Sequence, residues 1–338
     1  MVNRKTSIWL DAWYGKRKWT FLLLPLMWLF RLIAILRRFY LQRFSQQTLA
    51  VPVIVVGNIS VGGTGKTPLL IALVKHFQQC GMTPGVISRG YGGEARTYPY
   101  ILSAVSTAQQ SGDEPLSIFL QTGCAVCVDI DRSAAARELI RAGCDILLSD
   151  DGLQHYRLGR SLEIAVVDGQ RGFGNGFCLP VGPLREPVSR LKQVDFVVVN
   201  SAPKDFKNPA GIQPFHMVIE PQHWRAIKTQ QTYELSHLAT QSSVHAVAGI
   251  GNPQRFYQTL KQLSLTPIEH DFPDHHQYHI DDFHFADDLP IVMTEKDAVK
   301  CQAFAGDDWF SLAVGARLPE AFWQAFDAKL TTLTVRHL

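Results

Sequence analysis

Val53-Ile54-Val55-Val56-Gly57-Asn58-Ile59-Ser60-Val61-Gly62-Gly63-Thr64-Gly65-Lys66-Thr67 runs an apolar strand pattern into a glycine loop. Pro68-Leu69-Leu70-Ile71-Ala72-Leu73-Val74 then continues it as a helical pattern. Strand, glycine loop, Gly-Lys-Thr and helix is the layout of a phosphate-binding P-loop. Backbone N–H groups along Ser60, Val61, Gly62, Gly63, Thr64 and Gly65 would face phosphate oxygens, and the helix N-terminus adds partial positive charge there. In this layout Lys66 reaches the β- and γ-phosphates, and the Thr67 hydroxyl binds Mg²⁺. The chain is therefore expected to handle a nucleoside triphosphate. The first glycine of the usual G-x-x-x-x-G-K-[ST] pattern is replaced by Ser60, and Gly62 and Gly63 restore the lost flexibility. The competing reading is a glycine-rich turn that happens to hold a lysine; the flanking strand and helix argue against it.

From the loop outward, apolar strand patterns at 51–56, 85–88, 125–128, 145–149, 162–167 and 196–200 alternate with helical segments. Asp131 is placed to cap a helix over 133–140. Alternation of this kind predicts a parallel sheet covered on both faces, with ligands at the carboxyl ends of its strands. After about residue 209, Pro, Gln and His become frequent, and strand patterns at 243–250 and 291–293 mark a second, smaller α/β unit. The expected fold is α/β: a P-loop NTPase-like parallel sheet with helices on both faces, a smaller α/β domain and an N-terminal membrane-associated helix. The expected boundaries are 1–45 for the anchor, 46–208 for the P-loop core and 209–338 for the smaller domain.

The net charge of +3 hides an asymmetry. Arg4, Lys5, Lys16, Arg17, Lys18, Arg31, Arg37, Arg38 and Arg43 face one acid, Asp11, so residues 1–43 carry +8 and the remainder −5. That pattern fits an anionic membrane surface better than nucleic-acid binding by the body, and no nucleic-acid partner is expected. Between the charges lies an apolar run of 18 residues, 19–36, interrupted once by Arg31. It is short for a spanning helix, and no small-residue cleavage site follows it. The expectation is a retained helix in the bilayer surface, with a single span as the alternative and a helix buried against the body as the third possibility. The six cysteines read as reduced and mostly buried thiols; in a strand, Cys124 and Cys127 would fall on opposite faces, against a zinc site.

Four segments carry chemistry. Asp150-Asp151 follows an apolar strand where a Walker-B acid stands, so one carboxylate can hold Mg²⁺ while the other orients a lysine; the alternative is a tight Asp-Gly turn. Asp113-Glu114 lies in what composition reads as a loop, and Asp113 is a candidate base toward an acceptor hydroxyl, against a solvated acid. Arg185-Glu186 sits among three prolines and a glycine in 179–187, a stiff loop that can aim an arginine at a transferring phosphate or hold a surface ion pair. Asp274-His275-His276 suggests an Asp–His pair assisting proton transfer, against surface histidines.

Taken together, these segments resemble the tetraacyldisaccharide 4′-kinases of lipid A biosynthesis. The resemblance runs through Val56 to Thr67, Ser88-Arg89-Gly90-Tyr91-Gly92-Gly93, Gly112-Asp113-Glu114-Pro115 and Asp150-Asp151-Gly152-Leu153-Gln154-His155. It continues through Arg171-Gly172-Phe173-Gly174-Asn175-Gly176, Leu179 to Pro187, Phe272-Pro273-Asp274-His275-His276 and Thr294-Glu295-Lys296-Asp297-Ala298-Val299. It implies ATP- and Mg²⁺-dependent phosphorylation of the 4′-hydroxyl of a tetraacylated glucosamine disaccharide 1-phosphate. It also implies work at the cytosolic face of the bacterial inner membrane, through a peripheral or single-helix anchor. The residue roles it implies are phosphate and metal binding by Lys66 and Thr67, and a base at Asp113 assisted by His275. The doubled His275-His276 leaves the assisting imidazole open. Asp150, Asp151 and Glu186 are implied as a metal-centred acidic group, Arg185 as a contact to nucleotide phosphates, and His155 as a neighbour. The implied partners are the lipid substrate and the membrane surface, with no obligate protein partner.

A membrane-associated P-loop ATPase with a regulatory or partitioning role is the alternative. Such loops carry a lysine before the paired glycines, where this chain has Val61. A GTPase is disfavoured because Thr294-Glu295-Lys296-Asp297 has the wrong spacing for guanine recognition.

Overall fold

Two β-strand residue sets decide how the core is built. Ile54 and Val56 point into one buried apolar cluster, and Val53 and Val55 into another on the opposite face. Period-two alternation with both faces buried is the mark of a central parallel strand. The computed structural model describes residues 4–15, 17–201, 206 and 211–337, and the side chains of 4–7 and 333–337 are not described. The expected boundary at 208/209 and the Arg4, Lys5 and Lys16 side chains lie outside the described residues.

The chain begins with α1 (Arg4–Tyr14), a 3₁₀ turn at Trp19–Leu23 and α2 (Leu24–Phe44). The first half follows as β1 (Val53–Gly57), α3 (Lys66–Gln79), β2 (Pro84–Ser88), β3 (Tyr100–Ile101), α4 (Ala108–Ser111), α5 (Asp113–Thr122), β4 (Ala125–Val128), α6 (Arg132–Arg141), β5 (Ile146–Asp150), β6 (Leu162–Asp168) and β7 (Phe196–Asn200). The second half comprises β8 (Phe215–Ala226), β9 (Thr232–Tyr233), β10 (Ser243–Ala248), α7 (Pro253–Gln262), β11 (Thr266–Asp271), β12 (Ile291–Thr294), α8 (Glu295–Cys301), β13 (Trp309–Arg317) and α9 (Glu320–His337).

The strands form one sheet in the order β11-β10-β12-β13-β8-β7-β6-β1-β5-β2-β4-β3, with β9 paired to β8. Strand β8 joins the halves. Its first residues pair in parallel with the carboxyl end of β7, Val198 opposite Phe215 and Asn200 opposite Met217. The rest runs on past that edge and pairs antiparallel with β13, from Val218 opposite Arg317 to Ala226 opposite Phe310. Strands β13, β12 and β10 are mutually parallel, so they point back toward the first half. The carboxyl ends of both half-sheets therefore face each other, which is where ligands bind in such sheets.

Several elements depart from the sequence expectation. Residues 110–115 do not form a loop: Gly112 turns at φ +88° and Asp113 opens α5. Asp, Glu and Pro in a first helical turn suit the helix dipole and need no N–H partner, so a loop-like composition is also a helix start. Strands β8 and β13 were not expected. Pro221-Gln222-His223 hides β8, and the ladder slips there, with Ala313 opposite His223 and Val314 opposite Pro221. An irregularity accommodates a residue without an N–H. Asp131 does cap its helix, accepting from the Ser133 N–H. Cys124 and Cys127 fall in different apolar clusters, on opposite faces of the sheet.

Helix α2 is not buried against the body. Met27 is inserted, but Leu22 is 84%, Trp28 61%, Ile33 56% and Leu36 58% exposed. The segment Trp19–Phe44 is long and apolar enough to cross a membrane.

Candidate active site

The loop after β1 is held open by its neighbours. Asn58 Nδ2 donates to the Gly62 carbonyl at 3.2 Å, the Val61 N–H to the Pro183 carbonyl at 2.9 Å, and Asn200 Nδ2 to the Thr64 carbonyl at 3.0 Å. Gly65, at φ +88°, delivers Lys66 to the first position of α3. The loop edges a cleft of about 1280 Å³ whose wall includes Gly62, Gly63, Lys66, Thr67, Asp150, Asp151, Arg185 and His275. That exceeds the ~300–1,000 Å³ typical of one small-molecule site, so a nucleotide and an acceptor can share it.

Asp150 ends β5 and Asp151 turns beyond it at φ +46°. Lys66 Nζ lies 3.5 Å from Asp151 Oδ1, and Arg185 donates to Asp151 Oδ2 at 2.9 Å. Burial opposes ionisation of Asp151, but Lys66 and Arg185 outweigh it and hold its pKa down to about 2. Asp150 behaves in the opposite way: burial, reinforced by Glu114 and opposed by Lys66, pushes its pKa up to about 7. Asp150 Oδ1 and Asp151 Oδ1 are buried without hydrogen-bond partners among the described residues. Two such carboxylate oxygens, on residues that line one cleft with Thr67, are hard donors that fit Mg²⁺, which takes one or two carboxylates together with phosphate oxygens and water. Among the described residues, no cluster of three or more His, Cys, Asp or Glu could hold a metal by itself.

Glu186 stands apart from this pair. Its Oε1 accepts from Gln154 Nε2 at 2.7 Å and its Oε2 from Tyr156 at 2.5 Å, with Arg190 Nε at 3.4 Å. Gln154 also donates to the Asn58 carbonyl at 3.1 Å and lines the cleft, so Glu186 lies behind it.

Asp113 is almost fully buried at the start of α5, next to Glu114, which lines the cleft. His275 Nδ1 donates to Asp113 Oδ2 at 3.0 Å, and the Glu114 N–H donates to Oδ1 at 2.9 Å. Burial of Asp113 favours its neutral form, but His275, Lys296 and Lys300 prevail and hold the carboxyl below its ordinary value. Reciprocally, the bond to Asp113 raises the His275 pKa against burial and Lys296. His275 adopts φ +62° and lies 5.0 Å from the Tyr91 ring, while His276 turns away to Asp282 at 3.1 Å. Of the doubled histidines, His275 is thus the one on Asp113.

Some residues of this constellation had no sequence-based role. Lys296 Nζ is 3.9 Å and Lys300 Nζ 3.8 Å from Asp113 Oδ2. Their i,i+4 spacing on α8 was a readable signal that both share one face. Arg132 donates to the Asp151 carbonyl at 2.9 Å. Arg255 donates to Asn200 Oδ1 at 2.7 Å, linking α7 of the second half to the P-loop.

Similarity to known proteins agrees with this geometry. The family model for tetraacyldisaccharide-1-P 4′-kinase (LpxK) matches residues 19–331. The tetraacyldisaccharide 4′-kinase of Legionella pneumophila (strain Corby) is 48% identical over 315 residues, 93% of this chain and 94% of that protein. The tetraacyldisaccharide 4′-kinase of Methylobacillus flagellatus is 47% identical over 343 residues, 100% of both chains. The crystal structure of "apo"-form LpxK from Aquifex aeolicus in complex with ATP aligns with a TM-score of 0.77 and 26% identity, over 94% of this chain and 99% of that one. The chain belongs to the tetraacyldisaccharide-1-P 4′-kinase family.

Proposed function

We propose that the chain transfers the γ-phosphoryl group of ATP to the 4′-hydroxyl of a tetraacylated glucosamine disaccharide 1-phosphate, in lipid A biosynthesis. The observation that carries the reading is an Asp–His pair beside the P-loop: half-buried His275 lines the same cleft as Lys66, and buried Asp113 is bonded to it at 3.0 Å. A hydrolase needs only water at the γ-phosphate; a buried carboxylate held ionised by an imidazole and two ammonium groups suits a hydroxyl acceptor.

In this reading the N–H groups from Gly62 to Thr67 and the Lys66 ammonium hold the β- and γ-phosphates. Mg²⁺ bound with the nucleotide supplies charge neutralisation, and Thr67, Asp150 and Asp151 would hold it. Glu186 supports that group through Gln154. Arg185 offsets charge that develops on the transferring group. Asp113 accepts the proton of the sugar hydroxyl as its oxygen bonds to the γ-phosphorus and the bond to the β–γ bridging oxygen breaks. A carboxylate oxygen with one hydrogen bond still has a lone pair free for that proton. His275 orients Asp113 and balances its charge. Residues 46–208 serve as the kinase core, and the smaller unit from 209 closes over the nucleotide to exclude water.

Helix α2 and its basic flanks hold the cleft at the cytosolic face of the inner membrane, where a lipid acceptor is found. Labelled ATP, offered with the tetraacyl disaccharide 1-phosphate in mixed micelles, tests the proposal. Label on the lipid, dependent on Mg²⁺, is expected; phosphate release with unlabelled lipid would favour the ATPase alternative.

A further inference from the structure

Arg37 and Arg157, two of the arginines that line the cleft, have no part in phosphoryl transfer as derived above. Arg37 projects from α2 and Arg157 follows His155; both side chains are exposed and both line the cleft. Among the described residues, Arg37 reaches only the Gln154 carbonyl, at a long 3.5 Å. Among the described residues, Arg157 has no side-chain hydrogen bond or ion pair. The adjacent Arg38 shows the contrast. It donates to Gln193 Oε1 at 2.8 Å, lies 3.8 Å from Glu186 and stacks 5.0 Å over the Tyr156 ring. Arg38 is thus committed to the fold, and Arg37 is not.

The field in this part of the cleft is positive. Burial, then Arg132 and Arg160, hold the His155 pKa down to about 4, with Arg37 adding to them and Asp131 opposing. Asp131 is itself engaged in capping α6. His155 Nε2 is buried without a hydrogen-bond partner among the described residues. On α2, the exposed Ile33 precedes Arg37 by one helical turn, and the exposed Leu36 is adjacent to it. A guanidinium beside an apolar helix face meets the chemistry of an amphiphile whose chains lie on that face and whose phosphate stands at its edge.

We propose that Arg37 and Arg157 form a subsite for the phosphomonoester at C1 of the disaccharide acceptor, at the far end of the sugar from the hydroxyl that is phosphorylated. The proposal rests on the function given above and adds a determinant of acceptor choice. Arginine suits this task because its planar donor fork matches phosphate oxygens.

The test measures kcat/KM for the wild type, Arg37→Gln, Arg157→Gln, Arg37→Lys and the Arg37→Gln/Arg157→Gln double variant. Each is assayed with the tetraacyl disaccharide 1-phosphate and with the same lipid lacking the 1-phosphate, in identical mixed micelles at saturating ATP. The wild type is expected to prefer the phosphorylated acceptor. Each glutamine substitution should lower kcat/KM for that acceptor by about tenfold, as loss of one charge-assisted hydrogen bond does. The loss should be confined to that acceptor, so that the preference vanishes in the double variant while the KM for ATP and the melting temperature hold. Arg37→Lys should keep part of the preference. Wild-type preference retained in the double variant overturns the subsite. An equal fall on both acceptors also overturns it, because the arginines then serve bulk lipid or nucleotide. Transfer to neither acceptor by the wild type is a different result and overturns the function on which the subsite rests.

Discussion

Asp113 and His275, 162 residues apart in the chain, meet at 3.0 Å, and each shifts the ionisation of the other toward the charged form. The contact ties α5 of the first half to the loop after β11 of the second, so the acid–base pair exists only when both halves are in place. Asp113→Asn keeps the shape and removes the proton acceptor. It is expected to lower kcat by about 10²–10⁴-fold, the range of general-base catalysis, with the KM for ATP little changed. Steady-state kinetics at saturating lipid check this.

The same pair makes stability depend on pH. The His275 pKa is raised above 6.5, so its imidazolium is favoured in the fold. That contribution is full below pH 6.5 and is lost as pH rises through the raised value. His275→Gln should therefore lower the melting temperature more at about pH 5.5 than at about pH 9. Thermal denaturation at the two pH values, compared with wild type, reads the difference.

Asp150 predicts the opposite kind of variant, inactive but more stable. Its pKa rises from 3.8 to about 7, so the fold favours the neutral form, and the cost to stability builds as pH rises above about 4 and is complete above about 7. Asp150→Asn should abolish transfer yet raise stability in metal-free buffer at about pH 8, by at most about 4 kcal/mol, with the gain gone below about pH 4. Urea denaturation with EDTA measures it.

The P-loop is most sensitive at Gly65. Its φ of +88° is unfavourable for a side chain, and a Cβ there would collide with the Asn200 amide that holds the Thr64 carbonyl. Gly65→Ala should cost about 1–2 kcal/mol for the left-handed conformation alone and eliminate ATP binding, as calorimetric titration with ATP would show.

Helix α2 supplies a prediction about location. Leu29 is 52% and Ile33 56% exposed. Leu29→Gln/Ile33→Gln should weaken binding to anionic vesicles by roughly 1–2 kcal/mol per residue and leave the melting temperature unchanged. Vesicle co-sedimentation separates the two effects.

The P-loop, the parallel strands of the first half and the family were legible in the sequence because each rests on local pattern: alternation around Val53–Val56, Gly-Lys-Thr at a helix start, and motifs in a fixed order; the short antiparallel β3 was not. What stayed hidden depends on pairing across the chain. Strand β8 carries Pro221 in a ladder irregularity, so its own composition reads as loop. Asp113 read as a loop acid because Asp-Glu-Pro serves equally as a turn or a first helical turn. The choice between His275 and His276 was invisible, since only tertiary contact sends one to Asp113 and the other to Asp282. Nor could sequence order show that Glu186 sits behind Gln154 while its neighbour Arg185 faces Asp151.

The most direct measurement is the position of the new phosphate on the lipid product, read by ³¹P NMR and mass spectrometry after incubation with ATP and Mg²⁺. The expected product carries a second phosphomonoester on the 4′-oxygen of the tetraacyl disaccharide 1-phosphate, absent with Lys66→Ala and Asp113→Ala although both variants fold. Unmodified lipid alongside ADP and free phosphate, or product formed at the wild-type rate by Asp113→Ala, would contradict it.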